Sequence, residues 1–213
     1  MTQTRKLLAV MAAVTSLALT GCVTLLPEAK PVQLYRFTPE PQAVDRPVGD
    51  TPRIPMIRAG GGFQTAAAGD RILTSQGTEA AYLANARWTQ AAAVLFDQAV
   101  MAGFAASNGP ARLVTPGEIG RPAFGMRIDV SRFEADYSAD PEAAPEVHVD
   151  IYVVITRLKD QKVVAEQSFS IRRKAAGNRG AAIAGAFQSA VQEAVGKLVA
   201  IADQGVAAQA SAS

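Results

Sequence analysis

The stretch EVHVDIYVVITRLKDQKVVAEQSFSIRRK, residues 146–174, decides the fold. Val147, Val149, Ile151, Val153 and Ile155 form the longest strict alternation in the chain. Successive strand side chains point to opposite faces, so this pattern predicts a half-buried strand. Lys159-Asp160-Gln161 reads as a tight turn. Val163, Ala165, Phe169 and Ile171 lead back from it, so the pair is predicted to be a hairpin.

Working upstream, residues 124–133 place Met126, Ile128 and Val130 on one face, and Phe133 then breaks the parity. That break predicts a bulge or a twist near Ser131 and Arg132. The polar stretch SADPEAAPE reads as a connecting loop. Trp88, Ala92, Leu95, Ala99 and Val100 recur at helical spacing, with Phe96 and Phe104 widening the stripe, and Asn108-Gly109-Pro110 ends it. Asn85 is the candidate N-cap of this helix. RILTS, residues 71–75, is a short strand candidate, and Tyr82 to Asn85 bring the chain to the helix.

Farther upstream, VQLYRF (32–37) has strand composition, and residues 38–52 read as loop. RIPMIR (53–58) is placed at a sheet edge because Pro55 lacks a ladder donor. AGGGFQTAAAGD (59–70) reads as a loop or a poorly ordered stretch, and it lacks the Gly-Lys-Ser/Thr ending of a phosphate loop. Downstream, Ile183, Phe187, Ala190, Val191, Ala194, Val195, Leu198 and Ile201 form a second helical stripe. The residues after about 204 read as a frayed tail. Together these elements predict an α+β fold, an antiparallel sheet of about four to five strands with two amphipathic helices packed on one face.

The other end of the chain carries a different signal. Arg5 and Lys6 precede the apolar run 7–19, which is shorter than the roughly 20 residues needed to span a bilayer. Leu19, Thr20, Gly21 and Cys22 follow, and Cys22 is the single cysteine of the 213 residues. One thiol makes no internal disulfide. The four residues resemble a bacterial lipobox, in which the cysteine sulfur receives a diacylglyceryl group. The expected organisation is a lipoprotein signal peptide over 1–21, a lipidated spacer over 22–31, a domain over 32–204 and a flexible tail over 205–213. Acyl chains such as palmitate, at about 0.8 kcal/mol per buried methylene, would hold such a chain to a membrane.

The chain has 21 basic and 19 acidic side chains, and without Arg5 and Lys6 the two signs balance at 19 each. That balance gives no basic field for nucleic acid. His148 is the one histidine, so no metal site and no cofactor site are expected. It shares a strand face with Asp150 and Tyr152, opposite the apolar stripe. A general base there would need a nucleophile that the sequence does not place beside it, which disfavours a hydrolase. The three residues are instead candidates for partner binding. Glu134 and Asp136 share a face and read as solvated charges, and Arg172-Arg173-Lys174 reads as a solvated basic loop. Trp88 reads either as a ring packed over the sheet or as an aromatic at a protein or lipid contact.

Three stretches resemble the ABC-type transport auxiliary lipoproteins: the lipobox followed by LYRF (34–37); the block 70–100 with Arg71-Ile72-Leu73, Tyr82, Arg87-Trp88 and Leu95-Phe96; and MRIDVSRFEAD (126–136) with Phe133-Glu134. The resemblance implies a non-catalytic subunit of an envelope transport system that moves phospholipid or similar hydrophobic molecules. Its implied partners are a mammalian-cell-entry (MCE) type substrate-binding protein and an ABC permease and ATPase. Val23 stands where an inner-membrane retention signal would show aspartate, so the implied location is the periplasmic face of the outer membrane. A structural or assembly lipoprotein of another envelope machine is the alternative, and a homo-oligomer is compatible with either.

Overall fold

A computed structural model describes residues 31–37, 53–115, 117–118, 121–138 and 140–210. The chain divides into two units after Pro31, and Val32–Ser213 is the unit described below. Its spine is an antiparallel meander of β6 (Phe124–Asp136), β7 (Glu146–Arg157) and β8 (Lys162–Lys174). On β7 the five alternating aliphatic residues are all buried, as their period dictates. The turn into β8 is the expected one. Arg157 holds Asp160 through two hydrogen bonds (3.0 and 2.7 Å), and Gln161 takes a left-handed φ of 58°.

The bulge stands where the parity breaks. Val130 lies opposite Ile151, the register shifts, and Arg132 lies opposite Asp150. The shift returns Phe133 and Ala135 to the core and turns Arg132, Glu134 and Asp136 outward, because one extra residue exchanges the two faces of everything that follows.

The second edge of β6 is shared. At its start lies β2 (Ile54–Arg58), parallel to Phe124–Met126, with β5 (Ala111–Leu113) parallel beyond it. At its end lies β3 (Arg71–Gln76), parallel at Ala135 and Asp136. Beyond β3 come β4 (Glu79–Trp88), antiparallel, and β1 (Gln33–Tyr35), parallel to β4. Between the two blocks, residues 59–64 run along β6: Ala59 N–H donates to Met126 O (2.9 Å), Val130 N–H to Gly62 O (2.9 Å) and Gln64 N–H to Val130 O (2.7 Å). The glycine-rich stretch read as loose is therefore part of the ladder. Gly61 makes it fit, with φ of 122° and a position where a Cβ would stand 1.8 Å from Ile128 O.

Both helices contribute to one core with the inner face of the sheet. Helix α1 (Ala92–Ala106) begins without a side-chain cap. Two of its first amides instead donate to the Gly69 and Ala68 carbonyls (2.8 and 3.3 Å), which supplies the acceptors a helix start needs. Helix α2 (Gly180–Ala210) lies across β7 and β8, with Phe187, Ala190, Ala194, Leu198 and Ala202 fully buried. The helices meet closely at Gly103, where a Cβ would come within 2.1 Å of Val195 Cγ1.

Four expectations are corrected. Among the described residues the sheet has eight strands and is mixed; the ten-residue β4 and the short β5 are not among the strands expected, and parallel pairing leaves no periodic trace in the sequence. The 53–58 segment is paired on both sides rather than at an edge. The Pro55 carbonyl accepts from Ala123 N–H (2.8 Å), which places its missing donor on the β6 side, just before that ladder begins at Met56 and Phe124. Asn85 is no helix cap; it sits inside β4 with φ of 54°, across from the register shift between Arg71 and Leu73. The residues from 205 are helical through Ala210, and Val206 is fully buried.

Gly61→Ala should lower unfolding stability by about 2–4 kcal/mol, since it adds both a clash with the β6 backbone and a strained φ. Gly69→Ala, where a Cβ meets nothing within 4 Å, should stay within about 0.5 kcal/mol of the parent. Urea denaturation of the two variants checks this.

Candidate interaction face of the sheet

The face of β6, β7 and β8 opposite the core carries rows of polar side chains. His148, Asp150 and Tyr152 all lie on it, as their spacing on β7 predicts, but each belongs to a separate pair. Asp150 is held by Arg172 of β8 (2.6 and 3.4 Å). Burial alone would raise its pKa; hydrogen bonds from Arg172 and Ser170, with the charges of Arg172 and Arg132, overcome that and hold it below the ordinary carboxylate value. The Tyr152 hydroxyl donates to Glu166 Oε1 (2.6 Å), and that bond raises the phenol pKa. His148 Nε2 lies 3.1 Å from Glu146, while Nδ1 is buried without a hydrogen-bond partner, 3.9 Å from Asp136.

The most enclosed charge is one that sequence reading assigned to solvent. Glu134 is 8% exposed. It accepts from Gln64 Nε2 (2.9 Å), Ser75 Oγ (2.9 Å) and Arg132 Nε (2.7 Å). Burial opposes its ionisation, but these three donors outweigh it and its pKa falls below the usual carboxylate range. Arg132 also reaches Asp136 (2.9 Å), so one guanidinium clamps both carboxylates across the β6 turn of register. The Gln64 amide has a second task, since its oxygen accepts the Phe133 N–H (2.7 Å). The alternation of β6 signalled that Glu134 and Asp136 share a face; nothing local signalled Gln64, which is brought from 70 positions away.

The remaining candidates fall elsewhere. Trp88 ends β4 and is 2% exposed, so it is a core residue and not a contact surface. It meets Phe37 and Phe187 edge to face, with ring centroids 5.2 Å away in each case. Arg172, Arg173 and Lys174 end β8 rather than forming a loop, with Arg172 on Asp150 and Arg173 on Glu193 of α2. Leu19, Thr20, Gly21 and Cys22 lie outside the described residues. Among the described residues no group of three or more His, Cys, Asp or Glu is placed to hold a metal ion, and no helix is long and apolar enough to cross a membrane.

Residues 64–199 match the model of one protein family, the ABC-type transport auxiliary lipoprotein component. No curated protein matches the chain. The chain is similar in structure to protein XCC0632 from Xanthomonas campestris, at 21% identity and a TM-score of 0.66, over 85% of this chain and 97% of that one. It is also similar to an uncharacterized protein at 9% identity and a TM-score of 0.60, over 80% and 97% of the two chains. At these identities the likeness shows the fold.

Arg132→Met should cost about 1–2 kcal/mol at neutral pH, because it strips the shared counter-charge from Glu134 and Asp136. Both carboxylates have folded pKa values below their ordinary ones. Their contribution is therefore complete above about pH 5 and fades as pH falls through the folded values, so the gap between parent and variant should narrow toward pH 3. Trp88→Ala should cost about 3–5 kcal/mol with no such pH dependence. Denaturation at several pH values separates the two effects.

Proposed function

We propose a function for this chain from one premise: it belongs to the ABC-type transport auxiliary lipoprotein component family. The match over residues 64–199 is the observation that carries the reading. On this reading the chain is a non-catalytic subunit, held to a membrane by acyl chains on Cys22, that serves an intermembrane transporter of the MCE class. Its partners are the MCE-type substrate-binding protein and the ABC permease and ATPase, and the cargo is phospholipid or a similar hydrophobic molecule. The periplasmic face of the outer membrane is the proposed location.

Physical features of the sheet support a binding role over chemistry. A general acid or base works from a group whose proton is available to a substrate. Glu134, Asp136 and Asp150 are engaged by arginines and held in their ionised form. A flat face of fixed, alternating charges suits recognition of a complementary protein surface, where such charges set orientation and association rate.

Native cells making tagged parent or Cys22→Ala protein provide the test. The parent should fractionate with outer membranes, carry the mass of a diacylglyceryl group at Cys22, and co-purify with the permease, ATPase and MCE protein. Cys22→Ala should be released into the soluble periplasmic fraction and recover these partners at least tenfold less. Parent protein that recovers the components of a different envelope machine instead would overturn the transporter assignment in favour of an assembly role.

A further inference from the structure

We infer that the outward face of β1 and its neighbours is a foot that rests on the bilayer, an inference that takes the acylation of Cys22 from the reading above. The burial of the β1 segment alternates from Leu34 to Phe37. Tyr35 and Phe37 face inward, where Phe37 packs on Trp88 and Phe133 and the Tyr35 ring lies against the first turn of α2 at Gly180. Val32, Leu34 and Arg36 face the other way and are all exposed. Val32 is 49% exposed and Leu34 62%, the highest value among the exposed large apolar residues of the described chain.

Isolated exposed leucines need no explanation. This pair differs in its setting. In the parallel register Leu34 lies beside Arg87, and Arg87 lies across from Arg71. Arg36 and Arg87 thus neighbour Leu34 along and across the strands, with Arg71 one strand farther on and stacked over the Tyr82 ring (3.6 Å), while Asp70 pairs with Arg87 at 2.9 Å. Apolar side chains set among cations are the composition that seats at an anionic lipid headgroup layer.

Chain length supplies the second argument. Ten residues connect Cys22 to Val32, and a fully extended chain spans about 3.3–3.6 Å per residue. An acyl anchor at residue 22 therefore keeps Val32 within about 36 Å of the lipid. Such a tether turns docking into an intramolecular event at millimolar effective concentration, so a contact too weak to recruit a free protein is enough to orient a tethered one. Other exposed apolar residues lack this: Val163, 47% exposed, stands on β8 at the far end of the sheet order.

The test uses the full acylated chain in vesicles of phosphatidylethanolamine and phosphatidylglycerol. With Cys22 acylated, Leu34→Cys or Val163→Cys carries an environment-sensitive fluorophore as the one reactive thiol. The label at 34 should shift to the blue and be quenched at least twofold by a bilayer-embedded spin label, and high salt should weaken both signals. The label at 163 should report water throughout. A water-like label at 34 on floated vesicles overturns the inference alone. So does a blue-shifted label that the lipid quencher does not reach, since another protein surface then covers the strand. Flotation and the mass at residue 22 report the anchor separately: a chain that fails both overturns the acylation reading and this inference together.

Discussion

The free edge of β6 is longer than any strand that pairs with it there, and the rest of the sheet is arranged around that mismatch. Thirteen residues of strand extend about 44 Å. On one side β7 matches them nearly end to end. On the other, β2 covers three residues at the start and β3 covers two at the end. Backbone groups left between would be unpaired against a packed core, at a cost comparable to a lost hydrogen bond for each. Residues 59–64 close the gap with main-chain bonds, and Gly61 is the residue that lets the backbone approach the Ile128 carbonyl.

The bulge at Ser131 follows from the same geometry and determines the chemistry of the outer face. By exchanging faces it sends Phe133 into the aromatic cluster with Phe37, Phe63 and Phe187, and sends Arg132, Glu134 and Asp136 outward. Glu134 then lands at the seam where residues 59–64 give way to β3. Gln64 reaches it from one side of the seam and Ser75 from the other. The buried carboxylate is thus a joint between two halves of the sheet. Its three donors, together with the Gln64 bond to Phe133 N–H, make the seam polar and hydrogen-bonded across both halves.

The meander of β6, β7 and β8 was legible in the chain, and strand segments were legible at β1, β2 and β3, but β4, β5 and the parallel pairings were not. Period-two alternation on β7, a turn sequence at 159–161 and a parity break at Phe133 are local signals, and each corresponds to an observed feature. The α2 stripe is equally local. By contrast β5 is three residues long, too short for a period to register, and β4 is rich in alanine, which gives a strand little to mark it; the partners of β1 and β2 are set by distant segments. Trp88 happened to fall four residues before Ala92 and so extended the helical stripe into what is strand. The frayed tail failed for another reason: GVAAQA has little amphipathic character, yet Val206 is buried, so tertiary packing and not propensity extends the helix. On the candidate face, the sequence places His148, Asp150 and Tyr152 together by period alone. Glu146, two residues before His148 on the same strand, follows from that period too, whereas Arg172 and Glu166 follow only once the hairpin register is known.

The place of Trp88 in the core bears on how the β1 end of the domain is held. A three-residue strand has too little ladder to hold a load, and short strands owe their stability to what they pack against. At β1 that packing is aromatic. Just after the strand, Phe37 stands edge to face on Trp88, Trp88 on Phe187, and Phe187 against Phe133, so the β1 segment is fastened to helix α2 and to the bulge of β6 through stacked rings. Each such ring pair adds about 0.5–1.5 kcal/mol beyond the area it buries. A load applied at Val32 would therefore act on the centre of the core rather than on a loose edge. The outward side chains of β1 keep a fixed orientation relative to the charged face of β6, β7 and β8. On the proposed bilayer contact, Trp88 would act from inside, by making rigid the strand whose other side the lipid would meet.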